Sequence, residues 1–199
     1  MIKTIIFDYG GVLGPDATDW VSMYKQIITV TKLSAETIEA IWKNHKAQLL
    51  LGQEDMPYFF EELAKESKEK TTGKELLNIY FHNTFIDEKV LDFAKQLKKK
   101  NYKLFILSLE TKSGMANKIK KFRLKDIFEE IYCSANIGMT KRDPKFFEYV
   151  LEKENLKAEE TIFIDDYQKN IDVAETLGIQ AIHFTSLGEL KKRLENFGI

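Results

Sequence analysis

The reactive side chains of this sequence stand where short apolar runs stop. Asp8 follows Thr4-Ile5-Ile6-Phe7, and Ser108 follows Leu104-Phe105-Ile106-Leu107. Lys141 lies in the loop after Ile131-Tyr132-Cys133, and Asp165-Asp166 close Ile162-Phe163-Ile164. If these runs are parallel strands, their ends share the carboxyl edge of one sheet, where ligands of open α/β sheets bind. Acids crowded at one edge repel each other unless a cation sits among them. A hard divalent ion with oxygen ligands, such as Mg²⁺, meets that need and commonly works with a phosphate group. Ser108 and Lys141 would then give a hydrogen bond and a positive charge to the phosphate oxygens.

The elements that must position these groups can be read from periodicity. Each run is short, apolar and rich in β-branched or aromatic residues, as a strand buried on both faces requires. A fifth run of this kind is Ala181-Ile182-His183-Phe184. Helical patterns separate them. In Glu88 to Lys100, Leu91, Ala94 and Leu97 share a face; in Pro144 to Glu154, Phe147, Val150 and Leu151 do so. Asp143 caps the second of these with Pro144 at its first position, and Gly178 ends a helix running from Asn170 to Leu177. Strands alternating with helices predict a mostly parallel sheet with right-handed crossovers.

The alternation breaks once, between Gly14 and Asp87, where only helical patterns occur. Ser34 caps a segment carrying Ile38, Ile41, Trp42, His45 and Leu49 at 3-4 spacing. Asp55 starts another with Phe59, Phe60 and Leu63. Thr72 to Glu75 forms a capping box ahead of Leu76, Leu77 and Tyr80. The expected organisation is an α/β core from residues 1–14 and 88–199, with a helical insert over 15–87 placed after the first strand.

Composition narrows the class of partner. Thirty basic and 31 acidic residues leave a formal net charge of −1, so there is no basic excess to speak for nucleic acid. The lysine runs at 98–100 and 120–121 close helical patterns and read as solvated faces at helix C-termini. Cys133 is the sole cysteine, which rules out an internal disulfide, and its apolar setting predicts a buried, inert thiol. No apolar run approaches the ~20 residues that cross a bilayer, and Met1-Ile2-Lys3-Thr4 leads straight into a strand. The expectation is a cytoplasmic monomer or weak homodimer acting on a small molecule, with no nucleic-acid or membrane partner.

Taken together, four separated motifs resemble the haloacid dehalogenase-like (HAD) superfamily. Ile5 to Leu13 (Ile-Ile-Phe-Asp-Tyr-Gly-Gly-Val-Leu) resembles its nucleophile motif, and Leu104 to Ser108 its second. Gly138-Met139-Thr140-Lys141-Arg142-Asp143-Pro144 resembles the lysine motif, and Thr161 to Asp166, continuing to Asn170 and Gly178, the acidic fourth. The insert stands at the position of a C1-type helical cap. The resemblance implies a three-layer Rossmann-like α/β fold and a Mg²⁺-dependent phosphatase. Asp8 would attack phosphorus and form an aspartyl-phosphate. The metal would be held by Asp8, the Gly10 carbonyl and Asp166. Lys141 would neutralise the charge shared by Asp8 and phosphate. Ser108 and the backbone N–H groups of Tyr9 and Gly10 would bind the phosphoryl oxygens. Asp165 would orient Lys141 or a metal-bound water, and Asn170 would support the acids from behind.

Position 10 departs from the family pattern. Many of its phosphatases carry an Asp there that protonates the leaving oxygen and later deprotonates water; Gly10 can do neither. Asp16 and Asp19 are the nearest acids that could stand in. Leu109 replaces a frequent Asn, and Arg142 a frequent Pro. A catalytically weak phosphate-binding or interaction protein is therefore one alternative. A metal-free haloacid dehalogenase, whose branch also lacks the second Asp, is another, although the Asp165-Asp166 pair would be pointless without a cation. Trp20, Tyr24, Trp42, His45, Tyr58 and Phe59 could line a substrate cavity, though aromatics at helical spacing more often form core.

Overall fold

The computed structural model describes residues 1–15 and 21–199, so Asp16, Asp19 and Trp20 lie outside the described residues. Five short strands form one wholly parallel sheet: β1 (Thr4–Phe7), β2 (Lys103–Ser108), β3 (Glu130–Cys133), β4 (Thr161–Asp165) and β5 (Gln180–His183). Their order is β3-β2-β1-β4-β5. Thr4 pairs with Lys103 on one side and with Thr161 on the other, so β1 is the central strand. The chain builds outward from β1 first in one direction and then in the other. Asp8 thus emerges at the topological switch point, where neighbouring loops part and leave a crevice.

Alternation along the strands fills both sides of the sheet. Ile5, Phe7, Leu104, Ile106, Ile162 and Ile164 point into one core, covered by α5 (Glu88–Lys99), α6 (Lys112–Phe122) and α10 (Leu187–Glu195). Ile6, Phe105, Leu107 and Phe163 point the other way, onto α8 (Pro144–Lys153) and α9 (Gln168–Thr176). This is the three-layer α/β arrangement, with buried strands reading as continuous apolar runs. The short α7 (Ser134–Ile137) follows β3, and Cys133 is buried as a free thiol. Asp143 and Gly178 take the expected cap positions: the Asp143 side chain accepts from Lys145 N–H at 3.0 Å, and Gly178 has φ +78°.

Between β1 and α5 the chain forms α1 (Val21–Thr31), α2 (Ala35–Leu50), α3 (Met56–Lys65) and α4 (Gly73–His82). Their starts follow from the side chains. Ser34 accepts from Thr37 N–H, Asp55 from Met56 N–H, and Thr72 forms the reciprocal capping box with Glu75. These helices share an apolar core of their own, which includes Met23, Ile27, Leu49, Phe60, Leu63 and Tyr80. α1 was not anticipated from the sequence. Only Met23, Ile27 and Thr31 form its buried stripe, while the β-branched Val21 and Val30 face solvent. Asp55 also ties the helical segment to the sheet domain, because its Oδ1 accepts from Ser113 N–H (3.0 Å) and Ser113 Oγ (2.8 Å) at the start of α6.

Candidate active site

The strand ends do converge. Asp8, Asp165 and Asp166 each offer a carboxylate oxygen, and these oxygens lie within 4.8 Å of one another. Lys141 enters from the loop after α7 and is wholly buried. Its Nζ stands 2.5 Å from Asp8 Oδ2 and 2.6 Å from Asp165 Oδ2. Asp165 is fully committed: Oδ1 accepts from Tyr167 N–H at 2.8 Å, and Asn170 Nδ2 reaches both of its oxygens at 3.1 Å. It therefore acts on Lys141 rather than facing the crevice. Ser108, the last residue of β2, is buried and lines the same cavity as Asp8.

The loop after β1 holds Asp8 in place. Asp8 N–H donates to Ile164 O at 2.8 Å, continuing the β1–β4 ladder, and Gly14 N–H donates to Tyr9 O at 2.7 Å to close the turn. Tyr9 N–H was expected to face the phosphoryl oxygens. It instead donates to Asp8 Oδ1 at 2.5 Å, because the tight turn folds the N–H back over its own neighbour's carboxylate. The Tyr9 ring is buried and its hydroxyl donates to Phe85 O at 2.7 Å, so its side chain is structural. Gly10 lines the cavity. Gly11 has φ +73°, and a Cβ there would sit 2.1 Å from Asp166 Oδ2. Only glycine lets Asp166 close onto the β1 loop.

Burial pushes the Asp8 carboxyl up to about 7, aided by Asp165 and opposed by Lys141 and the Tyr9 N–H. Burial lowers the Lys141 ammonium, but Asp8 and Asp165 outweigh it and hold that group above its ordinary value. The Lys141 ammonium thus contacts two of the three clustered carboxylates, those of Asp8 and Asp165. Asn170 Oδ1 is buried and has no hydrogen-bond partner. A donor set made wholly of oxygens, an excess of negative charge and an unmet buried acceptor fit a hard divalent cation such as Mg²⁺.

A cavity of about 540 Å³ joins this cluster to the helical segment. Of the aromatics that the sequence left open between core and cavity, Tyr24, Trp42 and Phe59 line it while also packing in the helical core; His45 and Tyr58 do not, and His45 Nδ1 lies 2.6 Å from Glu54 Oε2. Arg142 lines the cavity beside Tyr167, a placement not read from the sequence. Another unforeseen feature is the buried ion pair of Glu110 and Lys118, with the Lys118 ammonium 4.4 Å from the Tyr9 ring centre. Its signal was available: Lys118 falls three residues after buried Met115 on α6, a charged residue on an apolar face.

The family model described as haloacid dehalogenase-like hydrolase matches residues 5–184. D-ribitol-5-phosphate phosphatase of Bacteroides thetaiotaomicron is 26% identical over 195 residues, covering 90% of each chain. Drimenol cyclase of Aspergillus calidoustus is 24% identical over 98% of this chain and 36% of its own length. A sesquiterpene phosphatase of Aspergillus oryzae is 42% identical over 60 residues, 30% of this chain and 31% of that one. The matched stretch thus spans about a third of the length of each of the two fungal relatives. Among solved structures, a HAD family enzyme from Bacteroides thetaiotaomicron superposes with a TM-score of 0.79 at 24% identity, over 95% of this chain and 98% of that one. The same enzyme solved in complex with magnesium and inorganic phosphate gives 0.78 at 24% identity, over 96% and 99%.

Proposed function

The chain belongs to the haloacid dehalogenase-like hydrolases, and on that footing we propose that it is a Mg²⁺-dependent phosphatase that hydrolyses a phosphomonoester through Asp8. The observation that carries the reading is the contact of Asp8 with Lys141 at 2.5 Å beside two further acids. This arrangement presents a carboxylate to phosphorus and neutralises it at the same moment. The two phosphatases among the relatives support the reaction type.

In this reading Asp8 attacks phosphorus, the P–O bond to the alcohol breaks, and the phosphoryl group rests on Asp8. Water then attacks phosphorus, releasing inorganic phosphate and restoring the carboxylate. Lys141 balances the charge spread over Asp8 and the phosphoryl oxygens, while Asp165 and Asn170 keep Lys141 aimed. Ser108 and Gly10 N–H donate to the phosphoryl oxygens. Bound Mg²⁺, held by Asp8, Asp166 and the Gly10 carbonyl, would draw off charge developing on phosphate. A chelator is expected to abolish Mg²⁺-supported release of 4-nitrophenol from 4-nitrophenyl phosphate, and excess Mg²⁺ to restore it. Hydrolysis that is indifferent to chelation would remove the metal from the account, and with it the phosphatase branch of the family.

The alcohol must leave with a proton, and Gly10 has none to give. Among the described residues a Cβ at position 10 meets only Pro15 O, at 4.0 Å, so a side chain can start there without a clash. Gly10→Asp is expected to raise kcat for alkyl phosphates by about 10²-fold, the lower end of what general acid-base catalysis supplies. 4-Nitrophenyl phosphate, whose leaving group needs little protonation, should gain far less. An alkyl rate unmoved by the substitution would mean that another acid already serves.

A further inference from the structure

We propose that the alcohol half of the substrate is a hydrocarbon chain, so that this site takes phosphate monoesters of apolar aliphatic alcohols rather than sugar phosphates or nucleotides; the proposal rests on the phosphatase reading above. The cavity that holds Asp8, Ser108, Lys141 and Asp166 is also lined by Met23, Ile27, Ile38, Phe59, Phe60 and Leu63. These six come from α1, α2 and α3, and each is at least nine-tenths buried. The space therefore runs from the acid cluster into the core of the helical segment itself. Apolar walls are stabilised when hydrocarbon rather than water lies against them. A hydrocarbon guest would supply those contacts.

The buried acid on the wall is already engaged within the protein. Glu110 is paired with Lys118, accepts from Thr111 N–H at 2.8 Å, and receives the Tyr80 hydroxyl at 3.3 Å. Lys46 is exposed to solvent. A sugar brings several hydroxyls, each of which must find a partner when buried. Among the described residues the helical wall offers them mostly Ile, Met, Leu and Phe side chains, with side-chain polar atoms confined to Tyr24, Trp42, Lys46 and Tyr80. A hydrocarbon asks for no partner, and each added methylene removed from water strengthens binding about fourfold. The volume suits this occupant, since pockets for small molecules span ~300–1,000 Å³.

The test is kcat/KM for phosphate release from ethyl, butyl, hexyl and octyl phosphate, all below their micellar concentrations, beside glucose 6-phosphate and AMP. 4-Nitrophenyl phosphate and the Asp8→Asn variant run in parallel. The expected result is a rise of at least about 10²-fold from ethyl to octyl phosphate, with glucose 6-phosphate and AMP below octyl phosphate. A flat series, or a preference for glucose 6-phosphate or AMP, with Asp8-dependent cleavage of the aryl ester intact, would overturn the hydrocarbon proposal and leave the phosphatase reading standing. Should the aryl ester be cleaved no faster than by Asp8→Asn, the phosphatase reading fails instead. Calorimetric titration with octylphosphonate against ethylphosphonate decides the apolar subsite without turnover: tighter binding of the octyl compound supports it, and equal affinity overturns it.

Discussion

Asp8→Asn is expected to lower kcat for 4-nitrophenyl phosphate by at least about 10⁴-fold while leaving the protein folded. Loss of a covalent nucleophile commonly costs this much, because the remaining site must use water directly. Asn keeps the shape of Asp but offers neither a charge nor a usable nucleophilic oxygen. Stability should not suffer. Burial already pushes the Asp8 carboxyl up to about 7, so folding works against its charged form. Removing that charge leaves Lys141 still paired with Asp165 at 2.6 Å. Circular dichroism on heating is expected to show a Tm equal to or above that of the wild type. Activity lost together with the fold would mean that Asp8 serves structure, and residual activity near wild type would dismiss it as nucleophile.

Lys141→Met should cost both activity and stability. Methionine matches the length of the stem but leaves Asp8 and Asp165 buried side by side without their cation. Breaking a buried ion pair from one side typically costs ~3–5 kcal/mol, or roughly 10 °C in Tm for a chain of this size. With the lysine gone, the Asp8 carboxyl, already pushed up by burial, holds its proton still more tightly in the folded than in the unfolded chain. Its penalty is then small near pH 4 and grows as pH rises through the unfolded-state value towards the raised folded one. The difference in Tm between variant and wild type is expected to be larger at pH 8 than at pH 5. kcat/KM should fall by about 10³-fold, on the scale of removing one preorganised charge from a phosphoryl-transfer site. Magnesium should return part of the lost Tm, since it replaces positive charge among the same acids. A Tm deficit that is equal at both pH values would point to lost packing rather than unbalanced charge.

Much of this site is legible in the sequence. The strands declare themselves because strands buried on both faces are uninterrupted apolar runs, and Asp8, Ser108 and Asp165 mark where each stops. Lys141 is harder to place, since the loop around it shows no periodicity; its position after the third apolar run and the resemblance of that loop to a known motif both point to the site. Caps at Ser34, Asp55 and Thr72 were legible because a side-chain acceptor satisfies free N–H groups at a helix start. α1 was not, having a narrow buried stripe and exposed valines.

What periodicity hides is which neighbours the helices acquire. A helix face that reads as core in sequence can equally line a cavity, and Ile27, Phe60 and Leu63 do both. Residue types therefore pointed to a small phosphate ester without revealing how apolar the wall beside it is. The orientation of the Tyr9 N–H also depends on a turn closed by Gly11 and Gly14, whose geometry residue types alone do not specify. The Glu110–Lys118 pair lies between these extremes. A lysine on the apolar face of α6 announces a buried partner, but only the fold supplies its identity.

Covalent phosphorylation of Asp8 is the central claim, and it can be caught directly. Mixing the protein with Mg²⁺ and 4-nitrophenyl phosphate, quenching within one turnover and reducing with borohydride converts an acyl phosphate into its alcohol. Peptide mass spectrometry is expected to find homoserine at position 8, and none there in Asp8→Asn. Steady phosphate release with aspartate unaltered at position 8, or with the reduced residue elsewhere, would contradict the account.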